Sequence, residues 1–455
     1  MSKRLDLTQG SMPRLITKLA VPICLGMLMH AVYSMADLYF VGRLGPHAVA
    51  AVSISGNAFF IMMGLSMILG TGGMALIAQA FGRKDYEEAN RIFKQSLILS
   101  LSCGLAIAFI GIAIARPFVS FFGGHGDSLT WGVEYFQVFS ISLTVLLLLF
   151  VVGSGFRGMG DTKTPMFIMM QSAVLNIILD PLLIFGLLGM PAMGVRGAAV
   201  ASLVAQLYAL AWYAHLIFIK GSHIQLSGSW RPDLVIIKRS LAIGIPSGLT
   251  MYFVGFNMMI GYRVVSGYGT AALASLGIGF RIIQSCYLPS MGIAAAVAAA
   301  VGQNYGARIY SRIRQSIDFG LRSTTCIMIL GTAVCCIFSA GLIDLFSKDQ
   351  EVIRYGIIYL TITSLTNPAV GMLMVISSSF QGLGKTYPAF VSAAIDTGLF
   401  ALLVLTLPGY FGWGIQAIWW IKAIATVFEL ALVSFWLKIF LRDIRNDLAL
   451  TTISR

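Results

Sequence analysis

Three motifs recur in this 455-residue chain at one fixed offset of 224 positions, so whatever it folds into is built twice. Gln79, Gly82 and Tyr86 return as Gln303, Gly306 and Tyr310, and Gly45, Ala48, Ala50 and Ile54 return as Gly269, Ala272, Ala274 and Ile278. Phe156, Gly158, Gly160 and Thr162 return as Phe380, Gly382, Gly384 and Thr386. Unrelated matches have no reason to share an offset. The chain is therefore a duplicated unit of about half its length, and one acid breaks the symmetry: Asp37 lies in the first apolar stretch of the first copy, while the matching stretch of the second copy has none.

With 58% apolar and 11% charged residues, the repeated unit is one that lives in lipid rather than water. Stretches long enough to cross a bilayer as helices, about 20 residues each, lie near 14–40, 48–80, 95–115, 130–156, 164–188 and 193–219, and again near 240–265, 271–303, 319–346, 355–381, 387–408 and 412–440. The expected fold is all-α integral membrane, with twelve transmembrane helices in two six-helix bundles. An even number of spans per copy makes both copies enter from the same side, related by a pseudo-two-fold axis along the membrane normal around a central cleft. The expected division is a first bundle over 1–222, a cytoplasmic linker over 223–238 and a second bundle over 239–455. Gly228, Ser229, Trp230, Arg231 and Pro232 mark the linker. This leaves no room for a soluble catalytic domain, and no enzyme activity is expected.

Counting Lys and Arg by loop puts 23 on the side of the N-terminus and 6 on the other, with Arg281 and Lys422 inside spans. Both termini therefore face the cytoplasm of a multi-pass protein in the cytoplasmic (inner) membrane. The net charge of +13 is a topology signal near anionic membrane lipids and calls for no nucleic-acid partner. The first span reads as an uncleaved anchor rather than a signal peptide. Cys24, Cys103, Cys286, Cys326, Cys335 and Cys336 have no metal-type spacing and read as small core residues.

The chemistry then falls to ionisable groups inside the spans, since a mid-span acid costs about 2.5–3.5 kcal/mol on insertion scales and persists only where something compensates it. Asp37, Asp180, Asp396 and Glu429 qualify, Glu429 near a span end. Asp37 follows Tyr33 by four residues and His30 by seven, one helical face. Asp180 follows Asn176 by four and precedes Pro181, which sets a carboxylate beside an amide oxygen. Such oxygens suit a proton or a hard cation. At the repeat offset Asp37 meets Gly261 and Tyr33 meets Asn257, so this machinery is confined to the first copy. Structural hydrogen bonding between helices is the competing role for each acid. Asp396 can pair with Arg281 or Lys422, which can equally hold an anionic ligand.

At these residues the chain resembles the multidrug and toxic compound extrusion (MATE) transporters. The resemblance rests on Ala36-Asp37-Leu38-Tyr39-Phe40-Val41-Gly42-Arg43-Leu44-Gly45, the loops opened by Gln79 and Gln303, Gly158-Met159-Gly160-Asp161-Thr162-Lys163-Thr164-Pro165, and Asn176-Ile177-Ile178-Leu179-Asp180-Pro181. It extends over nearly the whole chain and implies export of amphipathic, often cationic, drug-like compounds by antiport with H+ or Na+. The acids resemble the DinF-like bacterial and archaeal branch, which implies cation coupling at Tyr33, Asp37, Asn176 and Asp180, with any Na+ held by Asp37, Asn176 and Asp180. His30 and Ser202 are further coupling candidates. Leu241–Val265 lacks the span-seven acid of the NorM-like branch, and the span-six region offers Ala198, Ala199 and Ala201 with only Ser202 as a hydroxyl, which favours protons over sodium. No cofactor is implied beyond the coupling ion, and the expected assembly is a monomer. Met27, Met170, Asn257, Arg281, Gln284 and Asp396 are candidates for the substrate cleft, although methionines pack membrane interiors equally well. A flippase for a lipid-linked saccharide shares the architecture but calls for a more cationic cleft. A channel suits buried titratable acids less well.

Overall fold

The computed structural model describes residues 5–219, 226, 229–411 and 414–453. Gly228 of the expected linker, and Lys3, Arg4, Lys220 and Arg455 of the charge count, lie outside the described residues. Helices follow one another without a strand among the described residues: α1 (Met12–Gly42), α2 (Pro46–Gly82), α3 (Tyr86–Phe121), α4 (Gly126–Gly158), α5 (Lys163–Phe185), α6 (Gly194–Phe218), α7 (Leu234–Val265), α8 (Thr270–Gly306), α9 (Tyr310–Ile337), α10 (Ser339–Asp344), α11 (Gln350–Ser364), α12 (Asn367–Leu383), α13 (Tyr387–Phe411) and α14 (Gln416–Ile453). Lipid leaves a backbone no solvent partner, so the crossing segments close their hydrogen bonds within themselves as helices. Large apolar side chains accordingly point outward, as Phe109 does at 77% exposure.

Eleven of these helices are long and apolar enough to span a bilayer, and the bent pair α11–α12 makes a twelfth span if it is counted as one. The expected span near 355–381 is thus broken, with a 49° bend. Pro368 has no N–H to give the carbonyl of Ser364 four residues back. Thr332 Oγ1 on α9 donates to that carbonyl instead, at 2.6 Å. The expected span near 319–346 also stops early, at Ile337, and the short α10 follows it. Glu429, expected near a span end, lies well inside α14, because the spanning segment runs from Gln416 to Asn446. Cys326 is exposed rather than a core residue.

By packing, the chain divides into two compact units. The first comprises Met1–Leu5 and Leu25–Ile245, the second Asp6–Cys24 and Pro246–Arg455. In the first, α4 packs against α2, α3 and α6, and α5 against α6. In the second, α12 packs against α8, α9 and α14, and α13 against α14. The same close approach anchors each. A Cβ on Gly158 would sit 2.8 Å from the Met74 carbonyl oxygen, and one on Gly382 would sit 2.4 Å from that of Ala298, at the repeat offset. Lys84 and Arg308, equivalent positions after α2 and α8, both adopt positive φ, at 62° and 60°.

Helices α1 and α7 are split between the units, just after Pro22 and just before Pro246, again equivalent positions. The start of α7 lies so close to α2 in the first unit that a Cβ on Gly244 would overlap the Ile68 carbonyl, and Gly292 of α8 lies against Ala20 and Cys24 of α1 in the second. The segments leading into both helices are pinned. Asn304 Nδ2 and Arg312 Nη2 donate to the Leu7 carbonyl at 3.0 and 3.1 Å. Gln95 Nε2 donates to the Arg231 carbonyl at 2.9 Å, and Gln95 Oε1 accepts from Asp233 N at 2.9 Å. Asp233 Oδ1 then accepts from Val235 N and Ile236 N and starts α7 at Leu234.

Gly382→Ala should wedge α12 from α8 and destabilise the second unit by about 1–3 kcal/mol. Gly255→Ala, in open space on α7, should be neutral or stabilising by up to about 1 kcal/mol. Thermal unfolding of the purified variants checks both.

Candidate functional site

Four helices of the first unit bring their polar side chains to one place. Helix α6 presents a buried face of small residues, Ala198, Ala199, Ala201, Ser202, Ala205 and Ala209. Small residues let backbones approach closely in lipid, and Ser172 Oγ on α5 reaches the Ala205 carbonyl at 2.8 Å. That approach sets Asn176 and Asp180, one turn apart on α5 and both 0% exposed, against Ser202. Asn176 Nδ2 donates to Asp180 Oδ1 at 3.2 Å and lies 3.5 Å from Ser202 Oγ. Tyr33 of α1 closes the ring: its Oη is 2.7 Å from Ser202 Oγ, with either hydroxyl able to donate. Asp37, the next turn of the same face, is within electrostatic reach of Asp180.

The ring is unfinished. Asp37 Oδ1, Asn176 Oδ1 and Asp180 Oδ2 are buried without a hydrogen-bond partner, and no Lys or Arg is among the described hydrogen-bond or ion-pair partners of these residues. Two carboxylates, an amide oxygen and two hydroxyls in an apolar interior form an all-oxygen donor set with surplus negative charge. That composition accepts a proton on a carboxylate or a hard monovalent cation among the oxygens. One apolar cluster, which includes Tyr135, packs Val41 of α1, Ala48 and Ala51 of α2, Ile184 of α5 and Val195, Ala198 and Ala199 of α6 together.

Sequence spacing placed Tyr33, Asp37, Asn176 and Asp180 on their own helices, and the structure gathers them. Ser202 joins them as the bridging hydroxyl. His30 stacks on the Tyr33 ring at 5.7 Å and faces Phe59, and no described bond links it to the carboxylates. Tyr135 on α4 escaped sequence reasoning: it is buried and within electrostatic reach of Asp37, Tyr33 and Asp180. A lone tyrosine in an apolar helix carries no signal until the neighbouring helices are in place.

The cleft candidates divide between the units. Met27 and Met170 lie half-buried in the first, while Asn257, Arg281, Gln284 and Asp396 belong to the second. Arg281 and Gln284 are exposed on α8. Asp396, only 3% exposed, has its own partners: Lys422 Nζ donates to its Oδ2 at 2.5 Å and Asn257 Nδ2 to the same oxygen at 3.2 Å. Of the two bases open to Asp396 in the sequence, Lys422 is the one that pairs with it.

Comparison with known proteins converges on one family. The family model described as MatE matches residues 22–182 and 246–406, two matches at the same 224-position spacing as the repeated motifs. Multidrug export protein MepA of Staphylococcus saprophyticus is 28% identical over 430 residues, 93% of this chain and 93% of its own. The MepA protein of Staphylococcus aureus is 27% identical over 383 residues, 83% of this chain and 84% of its own. A solved structure described as the outward-facing conformation of a multidrug resistance MATE family transporter of the MOP superfamily superposes with a TM-score of 0.90 at 25% identity, covering 98% of this chain and 99% of the other.

If the orphaned oxygens receive a cation, adding that cation must stabilise the fold. A ligand at about 100 times its Kd adds about 2.7 kcal/mol. Sodium or acidification should therefore raise the melting temperature of the purified protein. Asp180→Asn keeps the acceptor for Asn176, removes the buried charge, and should melt higher than wild type without added cation while losing most of the cation response.

Proposed function

This chain belongs to the MatE family, and from that premise we propose that it is a secondary active multidrug exporter of the DinF-like branch. It would exchange amphipathic, often cationic compounds for inward-moving H+ or Na+ by alternating access. We take it to act as a monomer in the cytoplasmic membrane with both termini in the cytoplasm. The observation that carries the reading is the ring of Tyr33, Asp37, Asn176, Asp180 and Ser202, an oxygen cluster with two carboxylates and no fixed cation among its described partners. The naming of the MepA relatives as multidrug export proteins supports the substrate class.

The chemistry follows from the cost of charge in a low-dielectric interior. With both carboxylates ionised, α1 and α5 hold like charges within reach of each other. A cation entering the ring removes that repulsion and satisfies the orphaned oxygens, so the neutral and charged forms favour different packings of α1 against α5 and α6. An ion shifts a conformational equilibrium only by its differential affinity for the two states. Exchange then requires that substrate and ion favour opposite states. Each pH unit of gradient supplies about 1.4 kcal/mol per proton, worth about a tenfold concentration ratio of substrate.

Reconstitution in liposomes, with a proton gradient and a sodium gradient imposed separately, tests this using ethidium as the fluorescent cargo. Transport driven by one gradient and lost in Asp37→Asn, with the variant inserted and folded, is the expected result. Driven transport by Asp37→Asn at the wild-type rate, or a folded protein that responds to neither gradient, overturns it.

A further inference from the structure

Two of the six cysteines meet across a helix interface of the second unit. Cys286 of α8 and Cys335 of α9 are 49 positions apart in the chain, and their sulfurs stand 3.8 Å apart. A glycine makes the approach possible. A Cβ on Gly331, one turn before Cys335 on the same face of α9, would sit 3.6 Å from Cys286 Cβ and 3.8 Å from its sulfur. Cys335 is 0% exposed, whereas Cys286 is partly open.

The remaining thiols do not compete for this pair. Cys336 is next to Cys335 in the chain, but its Sγ turns to the Thr361 carbonyl at 3.9 Å. Cys24 Sγ lies 3.8 and 3.7 Å from the carbonyl oxygens of Leu288 and Pro289. Cys103 belongs to the first unit. Cys326 is nine residues before Cys335 on α9, about 13.5 Å along the helix axis.

A disulfide holds its sulfurs at about 2.05 Å, so each sulfur has to move by less than about 1 Å, within reach of rotation about its own Cα–Cβ bond. Both cysteines lie in spanning helices, where a charged product is costly. A disulfide is neutral, while two thiolates around a soft monovalent cation keep a net negative charge. The bond also falls at a structurally sensitive place. Thr332, three residues before Cys335, is the side chain that donates to the freed Ser364 carbonyl at the break before α12. Joining Cys335 to Cys286 fixes α8 against the turn of α9 that props this break.

We propose that Cys286 and Cys335 form a redox-active dithiol, a modification site that closes to an α8–α9 disulfide by exchange with a small lipid-soluble disulfide, R–S–S–R. Cys286, the partly open thiol, gives up its proton and its sulfur attacks one sulfur of the oxidant; the departing RS− takes up that proton. Cys335 then attacks the Cys286 sulfur, breaks its bond to R–S, and passes its own proton to the second RS−. The protein loses two hydrogens and the oxidant is reduced to two molecules of RSH. This inference goes beyond the export reading and does not depend on it, since the bond forms within one unit and needs neither substrate nor gradient.

The test exposes the full chain in bilayers to dipyridyl disulfide, alkylates the remaining thiols under denaturing conditions, and digests without reductant for mass spectrometry. The expected result is one linked species containing the Cys286 and Cys335 peptides, lighter than their sum by two hydrogens and separated by a reductant. Cys335→Ser, which lacks the resolving thiol, should instead keep a pyridylthio group on Cys286. Recovery of wild-type Cys286 and Cys335 unlinked, whether alkylated or carrying the pyridylthio group, overturns the proposal, and so does either of them joined to a different cysteine. The wild-type result decides by itself, so the proposal stays falsifiable if the variant does not fold.

Discussion

The buried acids of this molecule answer to one constraint, that charge inside an apolar helix bundle must be compensated on the spot. Water would screen Asp37 and Asp180 at almost no cost. In lipid the same acids are held where α1, α4, α5 and α6 converge on them with hydroxyls and an amide. The three orphaned oxygens are what the constraint leaves unsatisfied.

The scaffold that holds the carboxylates in register is the repeat. Two of its close helix approaches, Gly158 on Met74 and Gly382 on Ala298, occur at equivalent positions, so each unit is pinned by the same backbone contact. Packing of small residues and carbonyls replaces the hydrophobic effect that would drive such contacts in water. The split of α1 and α7 at Pro22 and Pro246 follows the same symmetry. A proline leaves one carbonyl of its helix unpaired, which makes these two points the natural places for a helix to change packing partners.

Much of this was legible in the sequence because it is local or periodic. Apolar run length gave the spans, and four-residue spacing gave Tyr33 with Asp37 and Asn176 with Asp180. What depends on a neighbouring helix was not legible. Tyr135 has no acid near it in sequence. Ser202 read as the lone hydroxyl in a run of alanines, and only the approach of α6 to α5 turns it into the link between Tyr33 and Asn176. The break before α12 required seeing Thr332 take over the Ser364 carbonyl. Asp396 had two candidate bases, and its choice of Lys422 over the exposed Arg281 is a fact of tertiary packing.

The two copies diverge most where their chemistry differs. Setting the glycine before α14, Gly414, against Gly194 at the start of α6 puts Lys422 at the place of Ser202, and the repeat offset puts Phe400 at the place of Asn176 and Asn257 at the place of Tyr33. The contacts agree: Ser202 lies beside Asn176 as Lys422 lies over Phe400. One frame thus carries a hydroxyl in the first unit and a tethered ammonium in the second. A hydroxyl offers an oxygen but no charge, so no described side chain of the first unit balances its buried carboxyl groups. Lysine is tethered to the chain, so the second unit supplies Asp396 with a partner of its own. Duplication supplied two equivalent frames, and a few side-chain choices decide whether the chain itself supplies a basic partner for the buried acid.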